Sequence, residues 1–177
     1  SAPTPTGFET SFAADKTDVL CITLSSQLSA TYNAARLAMN LCQSTDSAQR
    51  IWLLDSATAG GAQGLIALAA ARAAIKGETL EGVFQIASAT ASRVHFIGAL
   101  ETVKYLRRSG RIPRIASWAV SLLNIKPVLA INPGEGRIRM LAQPRSKLKA
   151  IEIILDFITA NAGDRPLHVI AMHAARP

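Results

Sequence analysis

The chain has 177 residues, of which 49% are hydrophobic and 18% charged, so its composition is that of a folded protein rather than a disordered segment. Its 19 lysines and arginines outnumber its 12 acidic residues, and the net charge of +7 suits nucleic acid, anionic lipid headgroups or an acidic protein surface equally well. The chain has two cysteines, which lie in apolar or helical stretches and lack metal-ligand spacing. Such sparse cysteines argue against a disulfide-stapled secreted scaffold and favour a reducing, cytoplasmic location.

The first half of the chain alternates predicted strands and helices. Val19–Leu24 is a short, β-rich apolar run typical of a buried parallel strand, and residues at helical spacing follow as far as Cys42. A second strand, Ile51–Leu54, precedes an alanine-rich helix that ends at Gly77, and another helix is predicted at 79–92. This order predicts a right-handed crossover and a three-layer α/β/α parallel-sheet domain.

Beyond Arg93 the predicted elements change in character. Further strands are predicted at 94–100, 125–131, 137–141 and 167–172, and a strong turn signal joins the second and third of these. Helices are predicted at 101–109, at 113–123 and after Ser146, the last with a core face of Leu148, Ile151, Ile154, Leu155 and Ile158. We interpret this half as a second α/β domain with a mixed sheet, so the expected domains are 1–93 and 94–177.

The densest polar signal lies where the first strand gives way to a helix. Hydroxyl side chains meet the positive end of the helix dipole there, an arrangement that favours a carboxylate or phosphate. The same hydroxyls would equally serve to cap the helix and fill the turn. A nucleophilic serine is less well supported, because no G-x-S-x-G motif is present. The cluster consists of Ser25, Ser26, Ser29 and Thr31.

A second signal is a run of basic residues. Five lysines and arginines fall within positions 104–114, and most of them share one helix face. A solvated face, a nucleic-acid-binding surface and a docking surface for an acidic protein all remain open. Nucleic-acid-binding surfaces usually place aromatic side chains beside the basic ones, and only Tyr105 and Trp118 are close to this run in sequence.

Metal, nucleotide and membrane signals are weak. His173 follows a predicted strand, but no acidic or cysteine ligand stands at metal-binding spacing around it. Asp55 is interpreted as a turn cap, because the glycines after it do not have nucleotide-loop spacing. The apolar stretch 64–75 contains Arg72 and is shorter than the roughly 20 residues of a membrane-spanning helix. No metal, no cofactor and no integral membrane association are therefore expected.

Several ordered motifs resemble the DegV family of bacterial fatty-acid-binding proteins. The segment from Ile22 to Ala35 is similar to the family's I-T-L-S-S-x-L-S-G-T-Y-x-S-A signature, with Ala30 in place of its glycine. Further matching segments occur in the same order, so that the resemblance covers essentially the whole chain. They are 53–56, 105–112, 123–127, 145–150 and 169–173.

The resemblance implies a two-domain protein that holds one long-chain fatty acid. The acyl tail is expected in an apolar tunnel and the carboxylate at a Ser/Thr/His site between the domains. The second serine of the S-S pair maps onto Ser26 and the family's C-terminal histidine onto His173, and both are implied carboxylate ligands. Ser25, Ser29 and Thr31 are expected to shape the same pocket.

The resemblance also implies a carrier rather than an enzyme. A partner fatty acid kinase would convert the bound fatty acid to an acyl phosphate, and Arg111 and Arg145 are the implied docking residues. The family's opening D-S strand and its final H-x-G-P-G segment have no counterpart, so a fragment with part of each domain missing is expected. The alternatives are a basic nucleic-acid-binding module or a hydroxyl-based transferase or hydrolase.

Overall fold

The fold divides into two compact units. The structure, a computed structural model, describes residues 2–44, 48–102, 104–111, 125–163 and 166–174. Unit 1 comprises the described residues within Ser1–His95, Asn132–Arg137 and Ala174–Pro177, and unit 2 those within Phe96–Ile131 and Ile138–His173. The first change of unit along the chain follows His95, close to the expected boundary after residue 93. No pattern in the sequence indicated that the turn at 132–137 groups with unit 1.

Six helices and five strands lie within the described residues. The helices are α1 (Pro5–Phe12), α2 (Thr31–Gln43), α3 (Gly60–Ile75), α4 (Leu80–Ala91), α5 (Lys104–Arg108) and α6 (Lys147–Ala162). The strands are β1 (Val19–Thr23), β2 (Ile51–Asp55), β3 (Phe96–Ala99), β4 (Val128–Ile131) and β5 (Arg139–Ala142). The helix predicted at 113–123 lies outside the described residues.

Unit 1 is built on a parallel pair of strands with helices on both faces. β1 and β2 run in register from Val19 opposite Ile51 to Thr23 opposite Asp55. Because side chains alternate along a strand, each strand contributes apolar residues to both faces of the pair. The α/β class and the parallel sheet are confirmed, and the carboxyl ends of both strands lie at one edge.

Two hydrophobic clusters hold the layers of unit 1 together. Val19 and Cys21 of β1 belong to a cluster with α1 and α2, whose buried members are Phe12, Ala38 and Ile51. Leu20 and Ile22 face the other way and pack in a cluster with α3 and α4, whose buried members are Ile66, Ala70, Ala73, Val83 and Ala87. Each fully buried large aliphatic side chain contributes about 1.5–3 kcal/mol of burial energy.

The ends of several helices follow local signals in the sequence. Thr79 caps α4 and Ser146 caps α6, each by accepting a hydrogen bond from the backbone N–H three residues later. Gly77, with a φ of 86°, follows the end of α3. Ala30 and Ala59 precede α2 and α3, and these two helices therefore receive no hydrogen bond from an N-cap side chain.

Unit 2 contains an antiparallel sheet in the order β3, β4, β5. β3 pairs with β4 from Phe96 opposite Ile131 to Ala99 opposite Val128, and β4 and β5 form a hairpin. The sheet is antiparallel throughout the described residues rather than mixed. The prediction of a strand at 167–172 is wrong: these residues form no strand, and their side chains are exposed.

The predicted core face of α6 is largely exposed. Leu148, Ile151 and Leu155 are 69%, 42% and 56% exposed, and the buried residue of this helix is the small Ala150. Ile154 and Ile158 are half-buried. The apolar periodicity correctly predicted a helix with an apolar face, but periodicity carries no information about what covers that face.

Candidate anion-binding site

Two loops meet at the carboxyl edge of the parallel sheet, and the first of them carries most of the predicted hydroxyl cluster. The loop at 24–30 joins β1 to α2, and the loop at 56–59 joins β2 to α3. Parallel strands place their carboxyl ends at a common edge, where α/β folds bind ligands. Both loops belong to unit 1, as does the turn at 132–137.

Asp55 links the two loops through its carboxylate. The backbone N–H of Ser26 donates to both carboxylate oxygens, at 3.3 Å to Oδ1 and 3.2 Å to Oδ2. The backbone N–H of Ala57 donates to Oδ1 at 2.9 Å, and Ala57 adopts a left-handed φ of 50°. Asp55 thus caps its own turn, as the sequence predicts, and it also fixes the backbone of the first loop at Ser26.

Ser25 is fully buried, and its hydroxyl is committed to the protein itself. Its Oγ donates to the carbonyl oxygen of Gly136 at 2.6 Å and accepts from the backbone N–H of Gln27 at 3.1 Å. Its backbone N–H donates to the carbonyl oxygen of Thr58 at 2.8 Å. Ser25 therefore holds together the two loops and the 132–137 turn.

Ser26 differs from the other three hydroxyl residues. It is half-buried, and its Oγ makes no hydrogen bond with any described residue, while its backbone N–H is held by Asp55. A hydroxyl in this state has one proton to donate and two lone pairs to accept with. Within the described loops, the Ser26 hydroxyl is the member of the cluster available to an incoming ligand.

Ser29 and Thr31 bond to each other at the start of α2. Their hydroxyl oxygens lie 2.8 Å apart, and the backbone N–H of Thr31 donates to Ser29 Oγ at 3.2 Å. Thr31 is buried, with 8% of its surface exposed. These contacts fill the turn before α2, which is one of the local roles left open by the sequence, and they stiffen the loop on the helix side of Ser26.

Two buried threonines at this edge escaped the sequence analysis. Thr23 ends β1 and Thr58 lies in the loop after β2, and each is 3% exposed. Neither hydroxyl has a hydrogen-bond partner among the described residues. A signal existed for Thr23, since it lies at the carboxyl end of a predicted strand, whereas nothing in the sequence singled out Thr58.

The turn at 132–137 is the largest part of the site that the sequence did not indicate. Gly136 has a φ of 66°, and a Cβ added there would lie 2.6 Å from Ser25 Oγ and 3.6 Å from Ala57 Cα. Arg137 donates from Nε to the side-chain oxygen of Gln27 at 3.1 Å. The predicted hairpin turn therefore also packs against the first loop.

The remaining predicted site residues belong to unit 2. His173 is exposed and lies outside any strand, so the strand-end position used to single it out does not exist. Arg111 and Arg145 are both exposed, and Arg111 donates from Nη1 to the carbonyl oxygen of Ser109 at 2.9 Å. Unit 1 brings together Ser25, Ser26, Ser29 and Thr31.

A metal centre and a reactive thiol at Cys21 are two other kinds of site to consider among the described residues. They contain no group of three or more His, Cys, Asp and Glu side chains that could hold a metal ion. Burial raises the pKa of the Cys21 thiol, which disfavours the nucleophilic thiolate at neutral pH. None of the helices in this part of the chain is long and apolar enough to cross a membrane.

Comparison with known proteins identifies the family. A family model described as an uncharacterised protein, DegV family, matches residues 1–177. The chain belongs to the DegV family. DegV domain-containing proteins of Mycobacterium tuberculosis and Deinococcus radiodurans are each 33% identical to it, over 90% and 100% of this chain. The chain spans 54% and 61% of the lengths of these two relatives.

Solved DegV structures share the fold. A DegV family protein from Ruminococcus gnavus, solved with vaccenic acid, matches with a TM-score of 0.83 and 30% identity, over 91% of this chain and 57% of the other. A DegV family protein from Thermus thermophilus, described by its fatty acid binding, matches with a TM-score of 0.80 and 30% identity, over 93% and 57%. Fatty acid is therefore the ligand class described for similar DegV proteins.

Proposed function

We propose that this DegV chain functions in a fatty-acid carrier and that Ser26 binds the carboxylate of the fatty acid. The observation that carries the proposal is the half-buried Ser26 hydroxyl, which no described residue engages, on a loop fixed by Asp55 and Ser25. Two DegV structures at 30% identity, one solved with vaccenic acid and one described by fatty acid binding, support the ligand class.

The chemistry of Ser26 suits a carboxylate acceptor. Its hydroxyl can donate one hydrogen bond to a carboxylate oxygen, and a hydrogen bond to a charged acceptor is stronger than one between neutral groups. The acyl tail supplies most of the affinity, since each buried methylene contributes about 0.8 kcal/mol. The polar head then sets the orientation of the ligand. His173, matched to the family's histidine, is proposed as the second carboxylate ligand.

A carrier role fits the surroundings of Ser26 better than catalysis does. A nucleophilic serine is activated by a base hydrogen-bonded to its hydroxyl, and among the described residues no base bonds to Ser26 Oγ. Asp55, the carboxylate beside it, bonds to the backbone N–H of Ser26 instead. We therefore assign acyl phosphate formation to a partner kinase and propose Arg111 and Arg145 as its docking residues, both exposed in unit 2.

The first experiment measures fatty-acid binding by displacement of a fluorescent fatty acid with palmitate. Ser26→Ala should weaken palmitate binding about 10- to 150-fold, because one hydrogen bond to a charged group contributes about 1.5–3 kcal/mol. Ser92→Ala is the matched control, because Ser92 is exposed just after α4 and its hydroxyl donates to the local carbonyl oxygen of Ala89. Failure of the unmodified protein to bind any fatty acid would overturn the carrier proposal, and unchanged affinity in Ser26→Ala would remove Ser26 from the site.

The docking proposal has its own test. Arg111→Glu and Arg145→Glu together should lower the rate of acyl phosphate formation by an added fatty acid kinase while leaving palmitate affinity unchanged. Because Arg93 is also basic and exposed but lies in unit 1, Arg93→Glu serves as the control. Equal kinase rates for all variants would rule out these two residues as docking contacts.

A further inference from the structure

Arg137 places a guanidinium group beside the loop that carries Ser26. We propose that Arg137 is the cation that balances the anionic head group of the ligand at Ser26, and that Gln27 positions it. This inference rests on the proposed function and deepens it, because it assigns the charge selectivity of the site to a residue that neither the sequence motifs nor the resemblance singled out.

The geometry starts from two neighbouring hydrogen bonds. Ser25 donates to the carbonyl oxygen of Gly136 at 2.6 Å, and Gln27 accepts from Arg137 Nε at 3.1 Å. The two residues that flank Ser26 in the chain thus each bond to one of two consecutive residues of the turn. Arg137 is therefore held against the loop that carries the Ser26 hydroxyl.

The bond to Gln27 uses one edge of the guanidinium group and leaves the other available. Arginine has five N–H donors in a planar fork, and Nε carries one of them. The two terminal nitrogens of Arg137 make no hydrogen bond with any described residue, and the side chain is exposed. Their four N–H groups can accommodate a carboxylate in a two-point contact.

The charge balance of the loops explains why such a cation is needed. Both carboxylate oxygens of Asp55 accept a hydrogen bond from the backbone N–H of Ser26. This N–H is therefore not available to a ligand. An anion at Ser26 Oγ would also lie close to the negative charge of Asp55, and like charges at short distance repel. A guanidinium held on the adjacent Gln27 offsets that repulsion.

Gly136 makes this arrangement possible. A side chain at this position would collide with Ser25 Oγ, since the added Cβ would lie 2.6 Å from it. With glycine there, the turn approaches the loop closely enough for Arg137 to reach Gln27. The consequence is a site that prefers a long-chain carboxylate to a neutral molecule with the same chain.

The test compares palmitate with hexadecanamide, a neutral molecule with the same chain length. Arg137→Gln should weaken palmitate binding about three- to tenfold, as expected for a partly exposed charge contact, and leave hexadecanamide binding unchanged. Gln27→Ala should reduce the preference for palmitate in the same direction but by less. Raising the NaCl concentration should narrow the difference between the unmodified protein and Arg137→Gln, because salt screens the contact.

Arg72→Gln is the matched control. It removes the same charge from an exposed arginine of unit 1, but twelve residues along α3 place it about 18 Å from the start of that helix. It should leave both affinities unchanged. Arg137→Lys keeps the charge without the planar fork and should retain part of the palmitate preference.

The outcomes separate this inference from the proposal on which it rests. If the protein binds palmitate and Arg137→Gln binds it equally well, Arg137 is not the charge partner, although the carrier function stands. An equal loss for palmitate and hexadecanamide would also overturn the inference, because a purely structural role weakens both ligands. If the unmodified protein binds neither ligand, the carrier function itself fails.

Discussion

The two units differ in how far they bury their own apolar side chains. Unit 1 has helices on both faces of its sheet, and its clusters contain fully buried residues such as Ile66 and Ala38, both 0% exposed. In unit 2 the strand β4 is buried along its length, yet the helix α6 leaves Leu148 and Leu155 exposed. Unit 1 therefore buries more of its apolar side chains than the described part of unit 2 does, although Leu37 and Ile75 of unit 1 are also exposed.

This difference matters for the site residues. In unit 1, hydrogen bonds among neighbouring loops determine the positions of Ser25, Ser26 and Asp55. In unit 2, His173 lies in an exposed segment without regular structure. The structural roles of Ser25 and Asp55 therefore rest on observed contacts, whereas the carboxylate-binding roles proposed for Ser26 and His173 rest on the family resemblance.

The largest expected effect tests the difference in packing directly. Ile66→Ala in unit 1 should lower the free energy of unfolding by about 2–5 kcal/mol, because it opens a cavity at a fully buried position. Leu155→Ala in unit 2 should cost less than about 1 kcal/mol, since that side chain is 56% exposed. Hydrogen exchange, read for each unit by mass spectrometry, measures both. Equal losses would show that the apolar face of α6 is covered in solution.

The next effect concerns the contact between the turn and the first loop. Gly134→Ala and Gly136→Ala both place alanine at a positive φ, of 74° and 66°. This should cost each variant about 1–2 kcal/mol of unfolding free energy. The free energy of unfolding of Gly136→Ala should fall by about 1–3 kcal/mol more, because its Cβ would collide with Ser25 Oγ. A Cβ at Gly134 has nothing within 4 Å. Chemical unfolding of both variants measures the difference, and equal stabilities would contradict the close packing at Gly136.

A third pair of variants separates support from binding. Ser25→Ala should lower the free energy of unfolding by about 1–3 kcal/mol, because it leaves the buried Gly136 carbonyl and the Gln27 N–H without this partner. Ser26→Ala should change stability by less than about 0.5 kcal/mol while weakening palmitate binding. Thermal unfolding with and without palmitate reports both quantities. The reverse pattern would exchange the roles of the two serines.

The smallest effects come from exposed ion pairs, one in each unit. A side-chain hydrogen bond from Arg50 lowers the pKa of Asp18 in unit 1, so its stabilisation is present above the ordinary carboxyl range and is lost as pH falls through the lowered pKa. The side-chain hydrogen bond that Lys149 donates to Glu152 raises the pKa of Lys149 in unit 2. Its stabilisation is therefore present below the ordinary lysine pKa and is lost as pH rises through the raised one.

Melting temperatures measured across the pH range test these two pairs. The melting temperature of Asp18→Asn should be lower than that of the unmodified protein near neutral pH, and this difference should vanish at strongly acidic pH. The melting temperature of Lys149→Gln should be lower than that of the unmodified protein at neutral pH, and this difference should vanish at strongly alkaline pH. Both differences should shrink in high salt, because the pairs are exposed. A difference that is constant with pH would contradict the assignment to charge.

Local patterns were sufficient for most elements of unit 1. Alternating apolar strands and helical spacing predicted β1, β2 and the helices between and after them, and Gly77 and Thr79 marked helix ends correctly. The same local reasoning predicted one strand too many in unit 2. The apolar run 167–172 has strand composition, but a strand also needs a partner, and composition cannot supply one.

The candidate site was predicted only in part, because half of it is assembled by distant contacts. Ser26 and its neighbouring hydroxyls share one short motif, so the sequence and the resemblance both led to them. The bonds from the first loop to Gly136 and Arg137 join residues more than a hundred positions apart. A hydrogen bond of this kind leaves no local signal in a single sequence.

The bond between Ser25 and Gly136 also has a consequence for the order of folding. It spans 111 positions of the chain, and closing so long a loop carries an entropy cost that short-range contacts do not. During synthesis, β1 and β2 can pair as soon as residue 55 is available, whereas the turn must wait until residue 137 has been made. The sheet of unit 1 can therefore form early on the ribosome, while the site at its edge is completed only after residue 137 has emerged.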